Sequence, residues 1–180
     1  MAVETLRLED YIRTIPDYPS PGIMFRDITP LLGNAWAINK ALEELTIPFN
    51  DQDINKVMGV EARGWPLGGA LAIRLGAGFV PVRKPNKLPY DTIEEDYDLE
   101  YGKGRLQMHI DALEPGDRAV IHDDLIATGG TILAAIKLAQ RRDAEIVGVS
   151  ALVDLPDLGG SERIRQLDLT VHTLMDFPGH

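Results

Sequence analysis

The sequence predicts an α/β fold, a central and mostly parallel sheet flanked by helices on both faces, with one β-hairpin set apart from it. Three observations predict it. Short and nearly continuous apolar runs, Lys56–Glu61, Gly78–Arg83 and Glu145–Val153, are the pattern of strands buried on both faces. Between them lie segments of helical periodicity, and strand–helix–strand repetition with right-handed crossovers builds an open parallel sheet. One stretch alone, Ile93–Ile110, alternates apolar and polar residues around Gly102-Lys-Gly104, as a hairpin with one wet face does.

The elements follow in chain order. Leu6, Leu8, Tyr11, Ile12 and Ile15 fit a short amphipathic helix that stops at Pro16. A loop rich in turn residues runs from Pro16 to Pro30, and Asn34 caps a helix to about Leu45 with Trp36, Ala41, Leu42 and Leu45 on its buried face. After the strand Lys56–Glu61, Pro66 sits in the first turn of a Leu67–Leu75 helix that Gly76 ends. Gly78–Arg83 is the next strand, and the hairpin follows. Ala119–Ile121 leads into Asp123-Asp124, then a helix spans Thr131 to about Arg142 with Ile132, Ala135, Ile136 and Ala139 on one side. Strand Glu145–Val153, helix Ser161–Leu167 and strand Thr170–Met175 complete the series.

At 180 residues and 19.8 kDa, the chain reads as one domain over 1–180, able to bury roughly 70% of its unfolded surface. Its 28 acidic residues against 18 Lys plus Arg give a net charge of −10, a field that opposes general binding to nucleic acid or an anionic membrane. Zero cysteines exclude a disulfide framework, thiolate catalysis and a cysteine zinc site. No secretory signal pattern opens the chain, and no window reaches the ~20 apolar residues of a spanning helix. The expectation is a soluble cytoplasmic protein.

Ligands of such sheets bind beyond the carboxyl ends of the strands, and there the strongest motif lies. In Val120-Ile-His-Asp-Asp-Leu-Ile-Ala-Thr-Gly-Gly-Thr131 a buried strand ends in two carboxylates, and small and hydroxyl residues then turn the chain into a helix. Ala127, Thr128, Gly129, Gly130 and Thr131 let the backbone approach an anion, point unpaired N–H groups at it and add hydroxyl donors. This is a monophosphate cradle. Neither the glycine-lysine signature of nucleotide triphosphate loops nor a dinucleotide fingerprint is present. Asp123 and Asp124 beside a phosphate call for compensation, which vicinal sugar hydroxyls or a shared Mg²⁺ would supply.

Five further segments join this one: Pro19–Ile28, Gly59-Val-Glu-Ala-Arg-Gly64, Val82-Arg-Lys-Pro-Asn-Lys-Leu-Pro89, Leu99-Glu-Tyr-Gly-Lys103 and Phe177-Pro-Gly-His180. Together they make the chain closely resemble the type I phosphoribosyltransferases, and among them the branch that acts on adenine. The resemblance implies that family's fold, with residues 1–33 as an N-terminal helix and base-binding hood and residues 90–111 as a flexible hairpin over the site. It implies transfer of 5-phosphoribosyl from phosphoribosyl pyrophosphate to N9 of adenine, giving AMP and pyrophosphate. Asp123 and Asp124 would hold the ribose hydroxyls, and 127–131 the 5-phosphate. Arg63, Arg83, Lys84 and Lys87 would meet the pyrophosphate. Mg²⁺ would arrive on the substrate oxygens, with no direct protein ligand, and two copies would pair as a homodimer. The resemblance also implies a non-proline cis peptide within Glu61–Gly64.

Adenine presents an N6 donor beside an N1 acceptor, an edge that a peptide C=O and N–H can match. The resemblance sets the base against Met24, Phe25 and Arg26, with the Phe25 ring available for stacking. Relatives acting on 6-oxopurines carry an Asp where this chain has Ala127, so the N9 proton needs another acceptor. Glu100 matches the catalytic-loop glutamate of the adenine enzymes, and Tyr101 would reach the phosphates. His122 stands where relatives have an aliphatic residue and reads as a packing or hydrogen-bonding variant. Two alternatives remain open: a transferase for another base such as xanthine, and a non-catalytic phosphoribosyl pyrophosphate-binding regulator, which would need the cradle but neither Arg63 nor Glu100.

Overall fold

In the computed structural model, which describes residues 6–99 and 102–179, a five-stranded sheet runs through the centre. Its strands are β3 (Lys56–Val60), β4 (Gly78–Val82), β7 (Arg118–Ile126), β8 (Glu145–Asp154) and β9 (Thr170–Asp176). Their spatial order is β4-β3-β7-β8-β9, and every neighbouring pair is parallel. Helices α2 (Ala35–Thr46) and α3 (Trp65–Leu75) bury Ala37, Ala41, Leu45, Leu67 and Leu71 against one face. On the other, α4 (Gly130–Gln140) and the short α5 (Gly160–Arg165) bury Ile132, Ala135, Ile136, Ala139 and Ile164. All carboxyl ends of the strands therefore open on one edge.

Local chemistry accounts for the helix ends. Asn34 Oδ1 accepts the Ala37 N–H at 3.0 Å, an N-cap that starts α2. Trp36 does not join the buried face as expected. It is 39% exposed and tilts against Tyr11, ring centroids 5.7 Å apart, because its position on α2 faces outward beside the N-terminal segment. A short helix not foreseen in the sequence, α1 (Thr29–Leu32), precedes α2 and buries Leu31.

The N-terminal segment departs from expectation. A single 3₁₀ turn over Leu8–Tyr11 replaces the helix, and β1 (Arg13–Ile15) then pairs antiparallel with β2 (Phe25–Asp27). Pro16 disfavours helical backbone at the residue before it. The Arg13 guanidinium also bonds the Asp27 carboxylate at 2.6 Å across the pair. The apolar residues between 6 and 15 thus serve a turn and a strand rather than one helical stripe.

The hairpin forms where it was expected, from β5 (Thr92–Leu99) and β6 (Gly102–His109), in register from Thr92 opposite His109 to Leu99 opposite Gly102. Leu106 and Met108 are buried, while Glu94, Asp96 and Arg105 pair on the wet face. Arg83 and Gln107 exchange two backbone hydrogen bonds, which tie β6 to the end of β4. Lys137 of α4 and Arg141 just beyond its end reach Glu95 and the Glu94 carbonyl, so the hairpin lies against that helix.

Candidate active site

Strand β7 continues through Ile126, so Asp123 and Asp124 lie on the strand itself and not in the turn that follows. Both are buried, 9% and 5% exposed, and Asp123 Oδ1 accepts the Asp124 N–H at 2.8 Å. Burial pushes the Asp123 carboxyl well above the usual carboxylate range, and the adjacent Asp124 adds to this. Burial also raises Asp124, while the Arg63 guanidinium pulls it back. Beyond the carboxylates the chain turns at Gly129, φ +79°, into the first turn of α4.

These groups surround a cavity of about 390 Å³, lined by Glu61–Arg63 from the turn after β3, Lys84 after β4, Asp123–Ile132, and Tyr97 and Leu106 of the hairpin. The Glu61–Ala62 peptide is cis, within the tetrapeptide where one was expected. Arg63 Nε lies 3.0 Å from Asp124 Oδ2, an oxygen that otherwise has no hydrogen-bond partner.

A second cavity, about 410 Å³, opens next to the first. Ser20–Arg26, Leu155, Leu158 and Gly179 line it, and it shares Arg63, Leu125 and Ala127 with its neighbour. The Arg63 guanidinium carbon stands 4.7 Å from the centre of the Phe25 ring, a cation–π distance. One arginine therefore faces an aromatic wall in one cavity and a carboxylate in the other. A polar, donor-rich chamber joined to a more apolar slot is the geometry of a site for an anionic sugar and a flat ring.

The family model of the phosphoribosyl transferase domain matches residues 33–175. The chain belongs to the phosphoribosyltransferase family. An adenine phosphoribosyltransferase of Rhizobium leguminosarum bv. trifolii is 52% identical over 176 residues, 98% of this chain and 97% of that one. The crystal structure of adenine phosphoribosyltransferase from Rhodothermus marinus superposes with a TM-score of 0.90 at 53% identity, covering 94% of this chain and 96% of that one. The Saccharomyces cerevisiae enzyme, solved with an imino-altritol bisphosphate and adenine, superposes at 0.86 with 34% identity, covering 93% and 96%.

Within this phosphoribosyltransferase the expected site residues divide. Asp123, Asp124, Ala127, Thr128, Gly129, Gly130, Thr131, Arg63 and Lys84 meet in the first cavity, and Met24, Phe25 and Arg26 in the second. Arg83 is turned elsewhere: its Nε bonds Glu61 Oε2 at 2.7 Å, its Nη1 bonds the Lys87 carbonyl at 2.9 Å, and it stacks on Trp65. Lys87 stands outside the lining of the first cavity. The Arg26 side chain is 6% exposed and bonds Thr14 Oγ1 and the Pro178 carbonyl, which ties the hood to the C-terminal segment. Glu100 and Tyr101 lie outside the described residues.

His122 is fully buried with Nδ1 2.9 Å from Ser150 Oγ, and burial lowers its pKa to about 4, in keeping with a packing role. Sequence reasoning missed Tyr97, Leu125, Leu155 and Leu158. Period two on the hairpin puts Tyr97 on the same face as Ile93, a signal that was available. Leu125 stands within the Val120–Thr131 motif without a role read for it, while Leu155 and Leu158 carry no motif, and only the folded chain brings them to the slot.

Proposed function

We propose that this chain transfers the 5-phosphoribosyl group of phosphoribosyl pyrophosphate to N9 of adenine, releasing pyrophosphate and forming AMP. The observation that carries the reading is the pair of joined cavities with Arg63 at their junction. The adenine phosphoribosyltransferases similar to it over nearly their whole length support it further.

The roles follow from chemistry. The N–H groups and hydroxyls of 127–131 take the 5-phosphate. Asp123 and Asp124 accept from the ribose hydroxyls, with Arg63 held against Asp124 Oδ2 at 3.0 Å. Arg63 and Lys84 face the leaving pyrophosphate, while Arg83, bonded to Glu61, holds the Arg63 turn in position. The ring lies against Phe25, with the peptide edge of Met24–Arg26 reading N6 and N1. A 6-oxopurine reverses that donor and acceptor order and leaves buried partners unpaired. As the C1′–oxygen bond to pyrophosphate breaks and the C1′–N9 bond forms, the N9 proton passes to Glu100, and Tyr101 reaches the phosphates. The chamber floored by Asp123 and Asp124 would admit Mg²⁺ held through substrate oxygens and water, where the ion would supply neutralisation of leaving-group charge. The enzyme works as a homodimer in the cytoplasm.

The test is to incubate the protein with phosphoribosyl pyrophosphate, Mg²⁺ and adenine, hypoxanthine or xanthine in turn. AMP from adenine, with the other bases at least 100-fold slower, is the expected result. No nucleotide from any base refutes the activity, and preferential use of xanthine refutes the base.

A further inference from the structure

The phosphate loop is held from behind by an element outside its own motif. The Ala127 carbonyl accepts the Gly160 N–H at 3.1 Å. The Thr128 carbonyl accepts from Arg163 Nη1 at 2.8 Å. Both donors belong to α5, more than thirty residues further along the chain. In a trans peptide the C=O of one residue and the N–H of the next point in opposite directions. Tying the carbonyls of Ala127 and Thr128 to α5 therefore turns the N–H groups of Thr128 and Gly129 the other way, towards the cavity. Among the described residues, those two N–H groups have no protein partner.

We propose that Arg163 is a positioning residue for the phosphate loop, acting through the Thr128 carbonyl to aim the Gly129 N–H at the 5-phosphate. A guanidinium cation on a peptide carbonyl polarises the N–H of the same peptide towards a stronger donor. Arg163 also lines a separate cavity between α4, α5 and the hairpin and is absent from the lining of the two substrate cavities. Arg165, on the same short helix, is exposed and has no side-chain partner among the described residues. It supplies a control of equal charge without the bond.

The proposal rests on the activity proposed above. The experiment compares Arg163→Ala, Arg163→Lys and Arg165→Ala with the wild-type chain by steady-state kinetics and by calorimetric binding of ribose 5-phosphate. Arg163→Ala raises the KM for phosphoribosyl pyrophosphate and the Kd for ribose 5-phosphate by ~3- to 10-fold, the scale of one hydrogen bond. The KM for adenine and the kcat stay within about twofold, because the slot and the reacting atoms are untouched. Arg163→Lys, which keeps a cationic donor, recovers most of the loss, and Arg165→Ala changes neither constant. Unchanged KM and Kd in Arg163→Ala, an equal rise in Arg165→Ala, or a parallel rise in the adenine KM each overturns the proposal. A wild-type chain that makes no AMP refutes the activity instead, and ribose 5-phosphate binding still decides the role of Arg163.

Discussion

Gly159 and Gly160 sit side by side before α5 and are glycine for different reasons, which makes a sharp test of the site. Gly160 needs space: a Cβ there would stand 2.2 Å from the Ala127 carbonyl oxygen and 2.5 Å from the Gly129 nitrogen. Carbon and oxygen approach no closer than about 3.3 Å in ordinary contacts, so Gly160→Ala must push α5 and the phosphate loop apart by about 1 Å. Every obstructing atom is backbone, and no side-chain rotation relieves it. A misplacement of that size costs ~10²-fold in rate, and we expect that loss in kcat/KM for phosphoribosyl pyrophosphate. Gly159 needs only its backbone conformation, φ +71° with nothing within 4 Å of a built Cβ. Gly159→Ala therefore costs ~1–2 kcal/mol of stability, a fall of roughly 2–8 °C in Tm, and leaves the kinetics near wild type. Steady-state assays at 25 °C with melting curves on both variants decide it. Gly160→Ala within threefold of wild type, or Gly159→Ala as inactive as Gly160→Ala, would refute the reasoning.

Three other outcomes are expected. Asp123→Asn raises Tm at pH 7 while lowering kcat/KM for phosphoribosyl pyrophosphate by ~10- to 100-fold. The folded-state pKa of Asp123 is raised, so stability is lost as the pH rises from the usual carboxylate range up to the folded pKa, and the gain in Tm shrinks as the pH falls towards 4. For His122 the folded pKa is depressed from 6.5 to about 4, so its contribution is intact above pH 6.5 and is lost as the pH drops towards 4. The loss amounts to roughly 3 kcal/mol, and the double variant His122→Val with Ser150→Ala, melted across that range, shows a flatter acid limb than wild type. Finally, Glu100→Gln lowers kcat by ~10²–10⁴ with phosphoribosyl pyrophosphate affinity unchanged, and turnover near wild type excludes Glu100 as the proton acceptor.

What was legible in the sequence was whatever depends on near neighbours in the chain. The strand–helix order, the Asn34 cap and the strand-to-helix turn at 127–131 are local patterns, and the folded chain has all three, the turn lining the first cavity. The N-terminal segment misled because its apolar spacing satisfies a helix, while pairing with Phe25–Asp27, ten or more residues away, decides for a strand. Strand β7 outruns its apolar stretch because β8 continues to offer partners, Leu125 to Val153 and Ile126 to Asp154. Arg83 looked like a pyrophosphate ligand by its place after β4, yet the Glu61 carboxylate, 22 residues earlier, claims its guanidinium. Lys84 beside it, with the same sequence context, reaches the cavity. Arg163 was invisible for the same reason: nothing near position 163 reveals that the Thr128 carbonyl will stand 2.8 Å away.

The buried carboxylates of β7 carry one more consequence. Burial favours a proton on Asp123, with Asp124 adding to the effect, yet the ribose hydroxyl proposed to bind there needs an acceptor. Proton and sugar therefore compete for the same oxygens. On the proposed ribose contact, binding of the phosphoribosyl group would release a proton, and its affinity would rise with pH until the carboxyl is ionised. The heat of binding then depends on which buffer takes up that proton.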